Sequence, residues 1–245
     1  HKLLGQIAAA VIVMLFGVRI EFVTNPFGGM IYLGVLSIPI TIVWIVAFMN
    51  VVNFIDGLDG LAAGVSAIGS LAMAAAALGN HQSRLVVLSL ALAGSALGFL
   101  RYNFNPAQIF MGDAGAMFLG FTIAGISAIG ALKTPATLVL AVPVIVMGVP
   151  VLDTAFAIFR RVRRGVPVSS ADRDHVHHRL LAMGMTQRQA VLTLYAVSAL
   201  LAATACGVVA VDPRLGIGGT VTAFCALIIV GGRSGVLKSE MRRRD

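Results

Sequence analysis

Three short stretches hold most of the side chains that could do chemistry. "AFMNVVNFIDGLDGLAAG" (47–64) places Asn50, Asn53, Asp56 and Asp59 beside an apolar run. "RYNFNPAQIFMGDAGAMFLG" (101–120) carries Asn103, Asn105 and Asp113. "DTAFAIFRRVRRGVPVSSADRDHVHHRLLAMGMTQRQ" (153–189) carries Asp153, Asp172, Asp174, His175, His177, His178 and Arg179. A carboxylate among apolar residues at membrane depth costs several kcal/mol unless it is paired or hydrated, so its presence there points to function. Gly57, Gly60, Gly112 and Gly115 flank the acids, and glycine lets a backbone approach a ligand closely. Helix N-termini attract anions, and carboxylates hold hard cations. Together these groups suit a phosphate held through a divalent metal. Oxygen donors favour Mg²⁺ or Mn²⁺ over zinc.

Simpler roles compete for some of these residues. Asp59 could be the N-cap of one helix and Asp113 that of another. Caps do not explain Asn50, Asn53 and Asp56 as well. His175 and His178 are three apart and share a helix face, whereas His177 points elsewhere. The His cluster reads as a solvated basic loop near headgroups, as a zinc site, or as an anion site where His and Arg hold a phosphate. No Cys or Glu accompanies it at ligand spacing, which weighs against zinc. Asp153 is either an ion-pair partner of Arg160 or a wall of the site. His81 fits a solvated turn, and Trp44 fits a packing or lipid-facing role. "VTNPFGGMIYLG" (23–34) starts with an Asn-Pro turn and then alternates, which predicts a short hairpin.

The elements that must position these residues are membrane spans. The 245-residue chain has a mean hydropathy of +0.95 and 11% charged residues, values outside the range of ordinary soluble domains. Apolar runs at 3–19, 34–51, 59–78, 84–100, 114–131, 137–158, 190–210 and 216–232 predict an all-α polytopic membrane protein with about eight spans. The whole chain, 1–245, reads as one membrane-embedded domain, with a basic and His-rich loop at 160–189. The net charge of +8 does not indicate nucleic acid, because the charge follows topology. Fourteen of the 18 Lys and Arg residues fall on one side of the predicted spans, among them Lys2, Arg101, the Arg160–Arg188 set and the tail; only Arg19, Arg84, Lys133 and Arg214 fall on the other. The positive-inside rule makes the first side cytoplasmic, with both termini there. All three polar stretches then lie at the cytoplasmic face. Cys206 and Cys225 sit inside spans and read as small buried hydrophobes. The chain begins with His1, and a piece of a longer protein is expected.

"NVVNFIDGLDGLAAG", "FMGDAGAMFLG" and "PVLDTAFAIFRR…SSADRDHVHHRLL", in that order, resemble the polyprenyl-phosphate N-acetylhexosamine-1-phosphate transferases. The "NPFGG" segment and the His-x-His-His form are most similar to the bacterial undecaprenyl-phosphate GlcNAc-1-phosphate transferases. The likeness runs from about residue 2 to about residue 195. It implies transfer of a sugar-1-phosphate from a UDP-sugar to undecaprenyl phosphate, with release of UMP. The alternatives are a phospho-MurNAc-pentapeptide transferase of the same family or, in a different class, a membrane transporter. The resemblance further implies that Asn53 and Asp113 hold Mg²⁺. It puts Asp56 and Asp59 at the nucleotide end and makes Asp56, Asp59 and Asp113 the catalytic acids. Asn50, Asn53, Asp56, Asp59, His175, His177, His178 and Arg179 become the substrate-binding set. The implied partners are the UDP-sugar, the polyprenyl phosphate and the bilayer of a bacterial inner membrane, with a homodimer left open. The family also carries an Asp-Asp pair just before a segment like "KLLGQ", which here opens the chain.

Overall fold

The computed structural model describes residues 2–24, 29–131, 136–154 and 176–211. Helix α1 (Lys2–Leu15) leads to an antiparallel hairpin of β1 (Phe22–Thr24) and β2 (Met30–Tyr32). Its register pairs Phe22 with Tyr32 and Thr24 with Met30, so the predicted hairpin is present. A 3-10 turn (Gly34–Leu36) runs into α2 (Ser37–Ile55). Then come α3 (Leu61–Gly79), α4 (Ser83–Asn103), α5 (Gly112–Ala131) and α6 (Ala136–Val146). A further helical stretch, α7, covers 148–154. α8 (Val176–Ala182) and α9 (Gln187–Val211) follow.

Among the described residues, five helices are long and apolar enough to cross a membrane: Gly34–Ile55, Leu61–Gly79, Ser83–Asn103, Gly112–Ala131 and Gln187–Gly207. The protein is a multi-pass helical membrane protein. Three of the eight expected spans differ or lie elsewhere. The first forms a 14-residue helix, about 21 Å at 1.5 Å per residue, short of a roughly 30 Å hydrocarbon core. The 137–158 span is interrupted at Met147. Pro143 lies inside α6, where it removes one backbone donor and crowds the preceding turn. The amides of Met147 and Val151 still reach the carbonyls of Pro143 and Met147 across the interruption. The run at 216–232 lies outside the described residues.

α3 is the central helix. Its sequence, LAAGVSAIGSLAMAAAALG, is mostly Ala, Gly and Ser, and 14 of its 19 residues are buried. Small side chains let neighbouring backbones come close, which is how helices pack where lipid removes the usual apolar driving force. α4, α6 and α9 pack around it. α2 pairs with α5 and α1. At the α2–α5 crossing, a Cβ on Gly120 would lie 2.4 Å from the Phe48 carbonyl oxygen. Trp44 Nε1 donates to Ser127 Oγ across the same interface at 3.1 Å. The outward faces are apolar: Val43, Leu71, Val87, Leu97 and Leu200 are all exposed. Short turns at 56–60 and 80–82 make consecutive helices antiparallel. The C-terminal ends of α2 and α4 therefore meet the N-terminal ends of α3, α5 and α9 at one end of the bundle.

Candidate active site

That end holds a cleft of about 320 Å³, lined by Asn53, Asp56, Gly57, Leu58, Asp59, Asn103, Phe110, Met111, Gly112 and Asp113. Two of the three polar stretches in the sequence thus contribute to one wall system, because the α2–α3 turn faces the α4–α5 loop.

Asn53 and Asp113 are in direct contact. Asn53 Nδ2 donates to Asp113 Oδ1 at 2.9 Å. The Lys2 ammonium sits 2.9 Å from Asn53 Oδ1 and 2.9 Å from Asp113 Oδ2. Asn53 projects from the last turn of α2, which runs four residues further than the sequence pattern predicts and ends at Ile55. Asp113 lies in the first turn of α5. It is an exposed carboxylate whose partners are Lys2 and Asn53.

Asp56 closes α2 as its C-terminal cap residue. Burial, helped by the negative charge of Asp113, pushes its carboxyl up to about 6. Two carboxylates at one cleft, with one resisting ionisation, make a site that gains from a cation.

Asp59 is held differently. Its Oδ2 accepts from Asn105 Nδ2 at 2.9 Å and from the Ala107 amide at 3.2 Å. The N-cap of α3 is Gly60, at φ +82°, with no side-chain cap. Asp59 is therefore not the cap of the third span. Glycine is needed at residue 60 because few other residues adopt that backbone. The Gly60 amide donates to Asn103 Oδ1 at 3.0 Å. Asn103, buried, passes the connection on to the Ile109 carbonyl.

The remaining candidates fall elsewhere. Asn50 lies one turn before Asn53 but outside the cleft lining; its amide exchanges hydrogen bonds with Gln6 of α1 at 2.9 and 3.3 Å. Asp153 is buried, and its Oδ1 accepts from the Val176 amide at 3.2 Å, joining α7 to the start of α8. Arg179 is partly buried in the last turn of α8. His175 and the side chains of His177 and His178 lie outside the described residues, as do Asp172 and Asp174.

Several participants carry no assignment from sequence. Lys2 counted only as a topological charge. Its signal was the spacing to Gln6: the two polar residues are four apart on an apolar helix and so share a face. Phe110, an exposed ring on the cleft wall, gave no signal of its own.

The donor set fits a hard divalent cation. Asn53 Oδ1 and Asp113 Oδ2 already converge on one positive charge, the Lys2 ammonium. Among the described residues, no three His, Cys, Asp or Glu side chains group as a ready-made metal cage. One or two protein oxygens, completed by water and substrate phosphate, is the usual arrangement for Mg²⁺.

A family model described as Glycosyl transferase family 4 matches residues 1–131, just over half of the chain. The chain is 44% identical over 195 residues to the "Probable undecaprenyl-phosphate N-acetylglucosaminyl 1-phosphate transferase" of Bacillus subtilis, covering 79% of this chain and 54% of that protein. It is 36% identical over 270 residues to the "Decaprenyl-phosphate N-acetylglucosaminephosphotransferase" of Mycobacterium leprae, covering 100% of this chain and 66% of that protein. A "Phospho-N-acetylmuramoyl-pentapeptide-transferase" of Desulforudis audaxviator is 35% identical over 224 residues, with 82% and 62% covered. The chain spans between about half and two thirds of the length of these relatives.

Proposed function

Because the chain belongs to glycosyl transferase family 4, we propose that it transfers GlcNAc-1-phosphate from UDP-GlcNAc to a polyprenyl phosphate at the cytoplasmic face of a bacterial inner membrane. An oxygen of the lipid phosphate attacks the phosphorus that carries the sugar. The bond from that phosphorus to the bridging oxygen breaks, and UMP leaves with the oxygen. The product is a lipid diphosphate sugar. The relatives named for undecaprenyl- and decaprenyl-phosphate GlcNAc transfer support this choice over the muramoyl-pentapeptide reaction, whose named relative is less identical than the first and matches less of the chain than the second.

The observation that carries the reading is the convergence of Asn53 and Asp113 on one cation position, in a cleft that also holds Asp56 and Asp59. Phosphoryl transfer needs little covalent help from a protein; positioning and charge neutralisation do most of the catalysis. Asn53 and Asp113 would hold Mg²⁺, which when bound neutralises the diphosphate. The Lys2 ammonium, which bridges the same two oxygens, would give way to the metal. Asp59 and the Phe110 ring form the nucleotide end, where an exposed ring offers a base a surface to stack on. Asp56 lines the same cleft. His175, His177, His178 and Arg179 follow in sequence as the basic set for the sugar and phosphates. The clustering of polar groups at one end of the bundle disfavours a transport path, which would line a route through it.

The test uses the full chain in detergent, labelled UDP-GlcNAc, undecaprenyl phosphate and Mg²⁺. One UMP should be released for each lipid-linked sugar formed. Release of UDP would mean transfer of the sugar without its phosphate and would overturn the proposal. So would use of UDP-MurNAc-pentapeptide in preference to UDP-GlcNAc.

A further inference from the structure

We propose that the first three turns of α9 brace the Asp59 end of the cleft, with Gln187, Arg188 and Tyr195 as positioning residues for nucleotide binding. This rests on the reading of Asp59 given above.

Both donors to Asp59 come from one short segment, Asn105 and Ala107. That segment is in turn held from outside. Asn105 Nδ2 also donates to Gln187 Oε1 at 2.9 Å. Arg188 Nε donates to the Asn105 carbonyl at 2.9 Å. Asn105 is thus a hub, with the Asp59 carboxylate on one side and α9 on the other.

The sequence fixes where α9 begins. In Thr186-Gln187-Arg188-Gln189, the Thr186 amide donates to Gln189 Oε1 at 2.9 Å and the Gln189 amide donates to Thr186 Oγ1 at 3.3 Å. This reciprocal capping box pins the helix start and sets Gln187 and Arg188 as its first two residues. Tyr195 lies seven residues beyond Arg188, on the same face. Its hydroxyl donates to the Gly60 carbonyl, immediately after Asp59 in the chain. α9 therefore grips both flanks of Asp59, one through Asn105 and the other through Gly60.

Gly64 makes room for this grip. A Cβ there would lie 2.0 Å from the Tyr195 ring, so any side chain at residue 64 would push the phenol away. None of Gln187, Arg188 or Tyr195 lines the cleft; they act through the residues that do. A carboxylate with two fixed donors meets its ligand already oriented. One released from its brace must be ordered at the expense of binding.

The experiment measures UMP affinity by calorimetry on the full chain in detergent, together with KM and kcat for both substrates. The variants are Tyr195→Phe, Arg188→Ala and Gly64→Ala, with Arg188→Lys as the conservative partner. Each of the first three should weaken UMP binding and raise the KM for UDP-GlcNAc about tenfold, the scale of one lost hydrogen bond. The KM for polyprenyl phosphate should stay unchanged, and kcat should stay within about threefold, since the brace orders the nucleotide end before chemistry. Arg188→Lys should restore most of the affinity. Gln187→Ala combined with Asn105→Ala should be no worse than Asn105→Ala alone, because Gln187 acts through the Asn105 side chain. Tyr195→Phe deletes a single hydroxyl and keeps the test sound if Gly64→Ala fails to fold. Unchanged UMP affinity in Tyr195→Phe and Arg188→Ala, alongside a clear loss in Asp59→Asn, would overturn the brace and leave the reading of Asp59 standing. No loss in Asp59→Asn would remove the premise, and the proposal with it.

Discussion

Lys2 holds its ammonium 2.9 Å from each of two oxygens proposed to bind a divalent ion, so the ion must displace it. Exposed ion pairs are worth roughly 0.2–1 kcal/mol, and Lys2→Ala should therefore tighten Mn²⁺ binding by up to about fivefold. Electron paramagnetic resonance of added Mn²⁺ measures this directly. Weaker binding in the variant would show that Lys2 organises the oxygens rather than competing for them. Asp56 gives a prediction of the opposite kind. Its carboxyl is raised to about 6 by burial and by Asp113, so the folded protein binds a proton more tightly there than the unfolded chain does. The stability this contributes is complete below about pH 4 and is lost as pH rises through about 6. Without metal, Asp56→Asn should therefore raise the melting temperature at pH 7.5 and shift it much less at pH 4.5. Equal shifts at both pH values would contradict the assignment. Residue types made the site acids legible: Asp56, Asp59 and Asp113 all line the cleft. Asn50 shows the limit. One turn from Asn53 and of the same type, it faces α1 and pairs with Gln6, a contact between helices that local spacing does not encode.

At the scale of elements, the apolar runs located most of the helices, and the turn residues located the hairpin. The ends were less legible. The predicted span 34–51 stopped at the amides, yet α2 continues to Ile55, because Asn50 and Asn53 find partners on α1 and α5. The predicted span at 137–158 carried Pro143 in plain sight, but apolar content alone could not show an interruption at Met147. Small residues report a different property, the closeness of helix packing. On α5, a methyl on Gly120 would meet the α2 backbone at 2.4 Å, whereas one on Gly125 would meet nothing within 4 Å. Gly120→Ala should cost about 1–3 kcal/mol through overpacking against backbone that cannot move aside. Gly125→Ala should be neutral or slightly stabilising, since alanine is the better helix former. Thermal melts of the two variants in one detergent make the comparison. Equal melting temperatures would mean that α2 and α5 do not approach as described.

At the scale of the whole molecule, antiparallel helices carry two of the three polar stretches to one end and leave the hairpin and the Asn80 turn at the other. The proposed orientation, argued from the charge asymmetry, puts the polar end in the cytoplasm, where a nucleotide sugar is available and a lipid phosphate lies at headgroup level. Single cysteines placed at Met183 and Asn80, with Cys206 and Cys225 replaced, should react with an impermeant reagent from opposite sides, Met183→Cys from the cytoplasm. Reaction of both from the same side would break the topology. The central claim is narrower: Asn53 and Asp113 form the cation position on which transfer depends. Asp113 is exposed and its pair with Lys2 is a surface pair, so losing its charge should barely affect folding. The measurement that tests the claim most directly is transfer of labelled GlcNAc-1-phosphate by Asp113→Asn across a Mg²⁺ titration, with the melting temperature recorded in parallel. Turnover should fall by about a hundredfold or more, the scale seen when one charge-stabilising group is removed from a reacting site, at an unchanged melting temperature. Near-normal turnover at ordinary Mg²⁺ would contradict it.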